Sequence, residues 1–264
     1  MNILTLSVLA SCLFSVYALP TSITAPPTGL PGYACSVPSG STYTQVDYVE
    51  NLCGPGLQPY YLVVNPEDSL WACLQVDGFV YDKVQASTAC ALSGTAIQYH
   101  LREPVDLLWS CGPGTYNGFV YDDVYEGGYC SLDDAGLEGR DLYYRIRKPV
   151  DGLASCAQII GFVYTEVWNS LGCGLGGSFT MYTLKKPVDG LWACGPGTYN
   201  GYSYDDVVMS TNCVFGEESP YYHLRQPVPG VWVCNPPSGF PYSQERTVDN
   251  TCEVGYEGTQ YLLS

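Results

Sequence analysis

Three kinds of residue in this 264-residue chain have types and spacings that could do chemistry: cysteines, paired carboxylates and tyrosine–asparagine turns. The cysteines are the most regular. Cys35, Cys73, Cys111, Cys156, Cys194 and Cys234 are each followed, 17 to 19 positions later, by Cys53, Cys90, Cys130, Cys173, Cys213 and Cys252. No Cys-x-x-Cys occurs and only 2 histidines are present, so zinc ligation lacks its usual spacing. Pairing within each interval is the economical alternative: Cys35–Cys53, Cys73–Cys90, Cys111–Cys130, Cys156–Cys173, Cys194–Cys213 and Cys234–Cys252. Closing such a loop stabilises by about 3 kcal/mol in the chain-entropy account.

The acids offer less. Asp122-Asp123, Asp133-Asp134, Asp205-Asp206 and Glu217-Glu218 invite a glycosidase reading, which needs two carboxyls facing one bond. Neighbouring strand residues point to opposite faces, so no such pair is itself a dyad. Asp133, Asp134 and Glu138 form the best cluster for a cation or ligand contact, without an EF-hand spacing. His100 and His223 fill one repeated position, which marks a structural choice rather than a catalytic base. No Gly-x-Ser-x-Gly elbow occurs. The sequence therefore names no catalytic residue, no cofactor and no metal ligand set. Tyr116-Asn117 and Tyr199-Asn200 suit a sugar, which offers apolar faces and hydroxyl edges. Ordinary turn chemistry explains the same dipeptides equally well.

The elements that must position these groups repeat six times, over 29–65, 66–103, 104–148, 149–186, 187–226 and 227–264. Pro187-Val188-Asp189-Gly190-Leu191-Trp192-Ala193-Cys194 shows the pattern: a proline and Asp-Gly joint, then a short aromatic strand ending in cysteine. One tyrosine follows the first cysteine of each unit (Tyr43, Tyr81, Tyr121, Tyr164, Tyr204, Tyr242). A second (Tyr61, Tyr99, Tyr144, Tyr182, Tyr222, Tyr261) precedes Leu, Ile or Val by two, which places the pair on one strand face. Each unit thus reads as three strands, with β-branched and aromatic residues in the strands and Gly and Pro at the joints. Trp71, Trp109, Trp192 and Trp232, two before the first cysteines, are expected in the core against the disulfides. Units three and five share Cys-Gly-Pro-Gly-Thr-Tyr-Asn-Gly and a longer first turn. Unit three adds an acidic, Gly-rich insertion, Ser131 to Leu142, and unit six replaces Asp-Asp-Val with Gln244-Glu245-Arg246, as a terminal capping repeat does.

The fold class is all-β: six tandem disulfide-stapled units of about 40 residues, in a propeller-like or solenoidal array, with two β-trefoils as the alternative. Leu-Trp-x-Cys, Gly-Phe-x-Tyr-Asp-x-Val and Tyr-His-Leu-Arg-x-Pro in tandem resemble uncharacterised secreted cysteine-rich repeat proteins of filamentous fungi. The resemblance covers nearly all of the chain after the leader. It implies export and disulfides and carries over no activity or functional residue.

Residues 1–18 read as a signal peptide, apolar from Ile3 to Val16, uncharged and cut after Ala18. Its run of about 14 apolar residues is too short to span a bilayer. Residues 19–28 are a Pro/Thr/Ser lead-in. Net charge is -16 with pI near 4.2, which argues against nucleic acid and anionic membrane as partners. These features together predict a secreted, non-catalytic binding protein, extracellular or in a cell wall, lectin-like toward glycans. The alternative is a structural or effector protein that contacts another extracellular protein through the unit-three insertion.

Overall fold

All six intervals between paired cysteines close as disulfides in the computed structural model, within the units that the spacing indicates. It describes residues 32–127, 129–132 and 141–264, so the leader, the lead-in, Asp133, Asp134 and Glu138 lie outside the described residues. Each unit is a three-stranded antiparallel sheet in which the third strand is central, flanked by the short first strand and the long second one. In unit five these are Trp192–Ala193, Ser203–Val214 and Glu217–Arg225. No α-helix and no closed barrel occurs among the described residues. Among the described residues no four-stranded propeller blade is formed: every sheet stops at three strands.

The two tyrosines that keep step with the cysteines meet in every unit. Their rings pack edge to face, 4.9 to 5.1 Å between centroids, from Tyr43–Tyr61 through Tyr242–Tyr261. Two residues beyond the second tyrosine, Leu101, Ile146, Leu184, Leu224 and Leu263 are fully buried, on the face that the i, i+2 spacing predicts. The tryptophans depart from expectation. Trp71, Trp109, Trp192 and Trp232 are only half-buried, and the following residue takes the core: Ala72, Ser110, Ala193 and Val233 have no exposed surface. Alternation along the strand puts the two on opposite faces, and the inner face admits only a small or slender side chain where consecutive units approach.

That approach is closest at the backbone. The first cysteine of each unit from two to six donates its N–H to the first tyrosine's carbonyl in the unit before, as in Cys111 to Tyr81 and Cys194 to Tyr164. The core follows the same junctions. Val120 of unit three packs against Leu153 and Leu184 of unit four, and Val163 of unit four against Ala193 and Leu224 of unit five. Sheets too small to cover their own apolar faces thus cover one another's. In unit six the second strand, Tyr242–Asp249, is exposed at all but one residue, as its Gln-Glu-Arg sequence predicts.

A joint aspartate ties each of units two to five from its start to its end. Asp68, Asp106, Asp151 and Asp189 accept the backbone N–H of Glu103, Lys148, Lys186 and Gln226 at 2.8 to 2.9 Å. They also pair with Arg102, Arg147, Lys185 and Arg225. These backbone donors, helped by the cations, hold the Asp68, Asp106 and Asp151 carboxyls below the ordinary carboxylate value. A carboxyl depressed by folding stabilises above its unfolded value of 3.8 and ceases to as pH falls through its lower folded value. The urea midpoint is therefore expected to be flat above pH ~5 and to fall in acid below pH ~4, less steeply in Asp151→Asn. A midpoint indifferent to acid would remove the joint aspartates from the account of stability.

Candidate functional site

The repeated carboxylates and histidines are consumed within the scaffold. Asp82 lies 2.6 Å from His100 Nδ1 and 2.8 Å from Arg102 Nη1. Asp205 serves His223 and Arg225 in the same way. In unit three, Asp122 takes both Arg145 and Arg147, and Arg145 holds the register position of the two histidines, opposite a tryptophan. An arginine in that place agrees with the structural reading of the histidines: in units two, three and five the residue opposite the tryptophan is cationic or aromatic, while in unit six Leu262 stands there and Arg246 lies over Trp232. His100 and His223 lie 4.9 Å from Trp71 and Trp192, and the Arg145 guanidinium 5.8 Å from Trp109. The second acid of each pair turns back on the backbone: Asp123 and Asp206 accept the N–H of Val124 and Val207. Asp122 and Asp123 lie at the bulge of their strand and both reach Arg145, Asp123 at 3.8 Å, so simple alternation does not divide that pair between faces.

The Tyr-Asn turns have a task that the sequence did not disclose. Thr115–Asn117 and Thr198–Asn200 are single 3-10 turns, each entered through a left-handed glycine, Gly114 and Gly197. A Cβ on either glycine would stand 2.9 Å from Ile146 or Leu224, so the last glycine of Cys-Gly-Pro-Gly is required twice over. Asn117 then reaches back to unit two, accepting from the Gly78 N–H at 3.1 Å and donating to the Phe79 carbonyl at 3.0 Å. Asn200 does the same to Gly161 and Phe162 in unit four. Both carboxamides are clasps between units. The groove beneath the second turn, about 440 Å³, is lined by Ile159, Ile160, Phe162, Tyr164 and Pro196, with Gln158 and the Asn200 already committed to unit four as its polar side chains.

The polar-aromatic chemistry sought at those turns lies elsewhere, at the junction of units two and three. There Trp109, Tyr125, Tyr129 and Tyr143 surround an open groove of about 650 Å³, with Asp82 and Lys83 on its unit-two side. Tyr125 and Tyr129 remain 62% and 63% exposed, far more than a ring placed for packing. Gly127 lies between the Tyr125 and Tyr143 rings, where a Cβ would come within 2.9 Å of one and 3.1 Å of the other. Tyr143 forms the floor: its hydroxyl donates to the Asp82 carbonyl at 3.1 Å, and burial, helped by the charges of Asp82 and Asp141, pushes its pKa up to about 12. It therefore stays a neutral donor at any physiological pH. Compared with protein-family models, curated proteins and solved structures, the chain matches none. The groove must be judged on its own residues.

Those residues were visible in the sequence only as departures from the repeat. Four positions after the first tyrosine, the other units carry Asp47, Gln85, Trp168, Val208 and Arg246 where unit three carries Tyr125. Trp168 thus occupies the Tyr125 position of unit four, whose first strand, Ala154–Ser155, carries no tryptophan. Tyr129 has no counterpart one residue before any other second cysteine: Leu52, Ala89, Gly172, Asn212 and Thr251 stand there. Among the described residues no group of three or more His, Cys, Asp or Glu is arranged to hold a metal ion. No helix among them is long and apolar enough to cross a membrane.

Proposed function

We propose that this chain is a secreted, non-catalytic binding protein that holds a glycan in the aromatic groove between units two and three. The observation that carries the proposal is the pair of mostly exposed tyrosines, Tyr125 and Tyr129, set around one open space with Trp109 and Tyr143. Exposed rings on a protein of net charge -16 do nothing for solubility or for the core, whereas a pyranose stacks its C–H face on such rings. The Asp82 and Lys83 side leaves polar edges for hydroxyl groups. Six disulfides fit the oxidising compartment that the leader indicates. The array is proposed as an open solenoid, in keeping with cross-unit bonds that run from each unit to the next, such as Cys73 to Tyr43 and Cys234 to Tyr204.

The test is retention on immobilised wall polysaccharides and an array of oligosaccharides, for the wild type and for Tyr125→Ala/Tyr129→Ala. Each ring contributes about 0.5–1.5 kcal/mol as a stacking partner, so the double variant is expected to bind roughly 5- to 150-fold more weakly. Its melting profile should be unchanged, since both side chains lie outside the core. If the wild type retains no glycan, or the double variant binds as the wild type does, the reading is wrong.

A further inference from the structure

We infer that the glycan taken by this groove carries a carboxylate, as a uronic acid does, and that Lys83 receives it; this rests on the glycan reading above. The inference comes from one position compared through six units. Two residues after the first tyrosine, at the bulge of the second strand, stand Gln45, Lys83, Asp123, Glu166, Asp206 and Gln244. Five are neutral or acidic, and the single cation borders the aromatic groove. In units three and five the residue here has a local structural use, because Asp123 and Asp206 each accept the next residue's N–H. Lysine has no acceptor and forgoes that bond. A cation found at this position in one copy of six, beside a groove lined by three tyrosines, marks a site shaped by something other than folding.

Lys83 is also uncommitted. Arg102, Arg145, Arg147, Lys185 and Arg225 are each held by an aspartate, whereas among the described residues the Lys83 ammonium has no ion pair. Its ammonium stands over the Tyr129 ring, 5.9 Å from the centre, where both residues line the groove. A carboxylated pyranose stacked on Tyr129 would bring its C6 oxygens toward that charge. A neutral sugar would gain nothing from the charge, and a cationic one would be repelled by it. The overall charge of -16 sets the other limit: a long polyanion is repelled by the rest of the surface, so the ligand is a short or sparsely charged uronate.

The test uses the whole protein with two probes, a short oligogalacturonide and the same oligosaccharide with its carboxyls reduced to alcohols, in isothermal titration. The wild type is expected to prefer the acidic probe by about fivefold, the scale of one solvent-exposed ion pair. Lys83→Gln should bind both probes alike. Lys83→Asp restores the residue found in units three and five, so it should fold normally and invert the preference. Equal binding of both probes by the wild type, or a preference that survives in Lys83→Gln, overturns the role of Lys83 and leaves the glycan reading standing. Failure of both probes to bind while a neutral glycan of another kind does overturns the uronate alone. Silence toward every glycan removes both readings.

Discussion

Leu224→Ala is expected to destabilise unit five by about 3 kcal/mol, within the usual 2–5 kcal/mol for a fully buried leucine. Leu224 is fully buried and packs with Val163 and Ala193, so the cavity would open on the junction between units four and five rather than inside one sheet. Its backbone also donates to Leu191 and accepts from Gly190, and its methyls stand against Gly197 at the turn that carries Asn200. One truncation therefore loosens packing, turn and clasp together. A stack of small units owes much of its stability to nearest-neighbour interfaces, so unit four should lose protection as well. Hydrogen exchange across 149–226 in the variant measures this. A loss confined to unit five would show that the junction adds little.

The paired variant Cys194→Ser/Cys213→Ser is expected to cost a similar amount, about 3 kcal/mol for the loop released. The consequence is larger than the number. At a typical ~0.05–0.15 kcal/mol per residue, a unit of about 40 residues has only ~2–6 kcal/mol in its share of the whole. Losing about 3 kcal/mol removes half or more of that share and leaves unit five dependent on the interfaces with its neighbours. Limited proteolysis followed by intact mass should find new cuts between 194 and 226, with the other five units protected. Cuts spread evenly through the chain would mean that the array unfolds as one body. An unchanged digestion pattern would mean that interfaces, not staples, hold each unit.

The scaffold was legible because its instructions are local and repeated. A cysteine finds its partner within 19 residues, and a tyrosine meets its counterpart across one hairpin, so comparing six copies separates the constant from the incidental. The groove was illegible for the opposite reason. Tyr143 and Asp82 are 61 residues apart, in different units, and become neighbours only when the units stack. The tryptophans misled because their size suggested burial, while the slender alanine or serine beside them is what the tight inner face admits. Asn117 and Asn200 had the look of ligand contacts, and their polarity is indeed used, on the backbone of the preceding unit. Tyr125, Tyr129 and Lys83 could have been found by asking which copy breaks the consensus.

The asparagine clasps have a consequence for how such a chain can lengthen. A long-turn unit reaches back to a short-turn one, three to two and five to four, and the reach depends on the glycine N–H and phenylalanine carbonyl waiting there. Copying a long-turn unit alone would set two long turns in sequence and leave the second clasp without the short turn it reaches. A copied short-turn unit adds no clasp, as units one and two in succession show. Copying a short-turn and long-turn pair keeps every clasp intact. A long turn can thus be added only behind a short one, although the module that folds around a disulfide is a single unit.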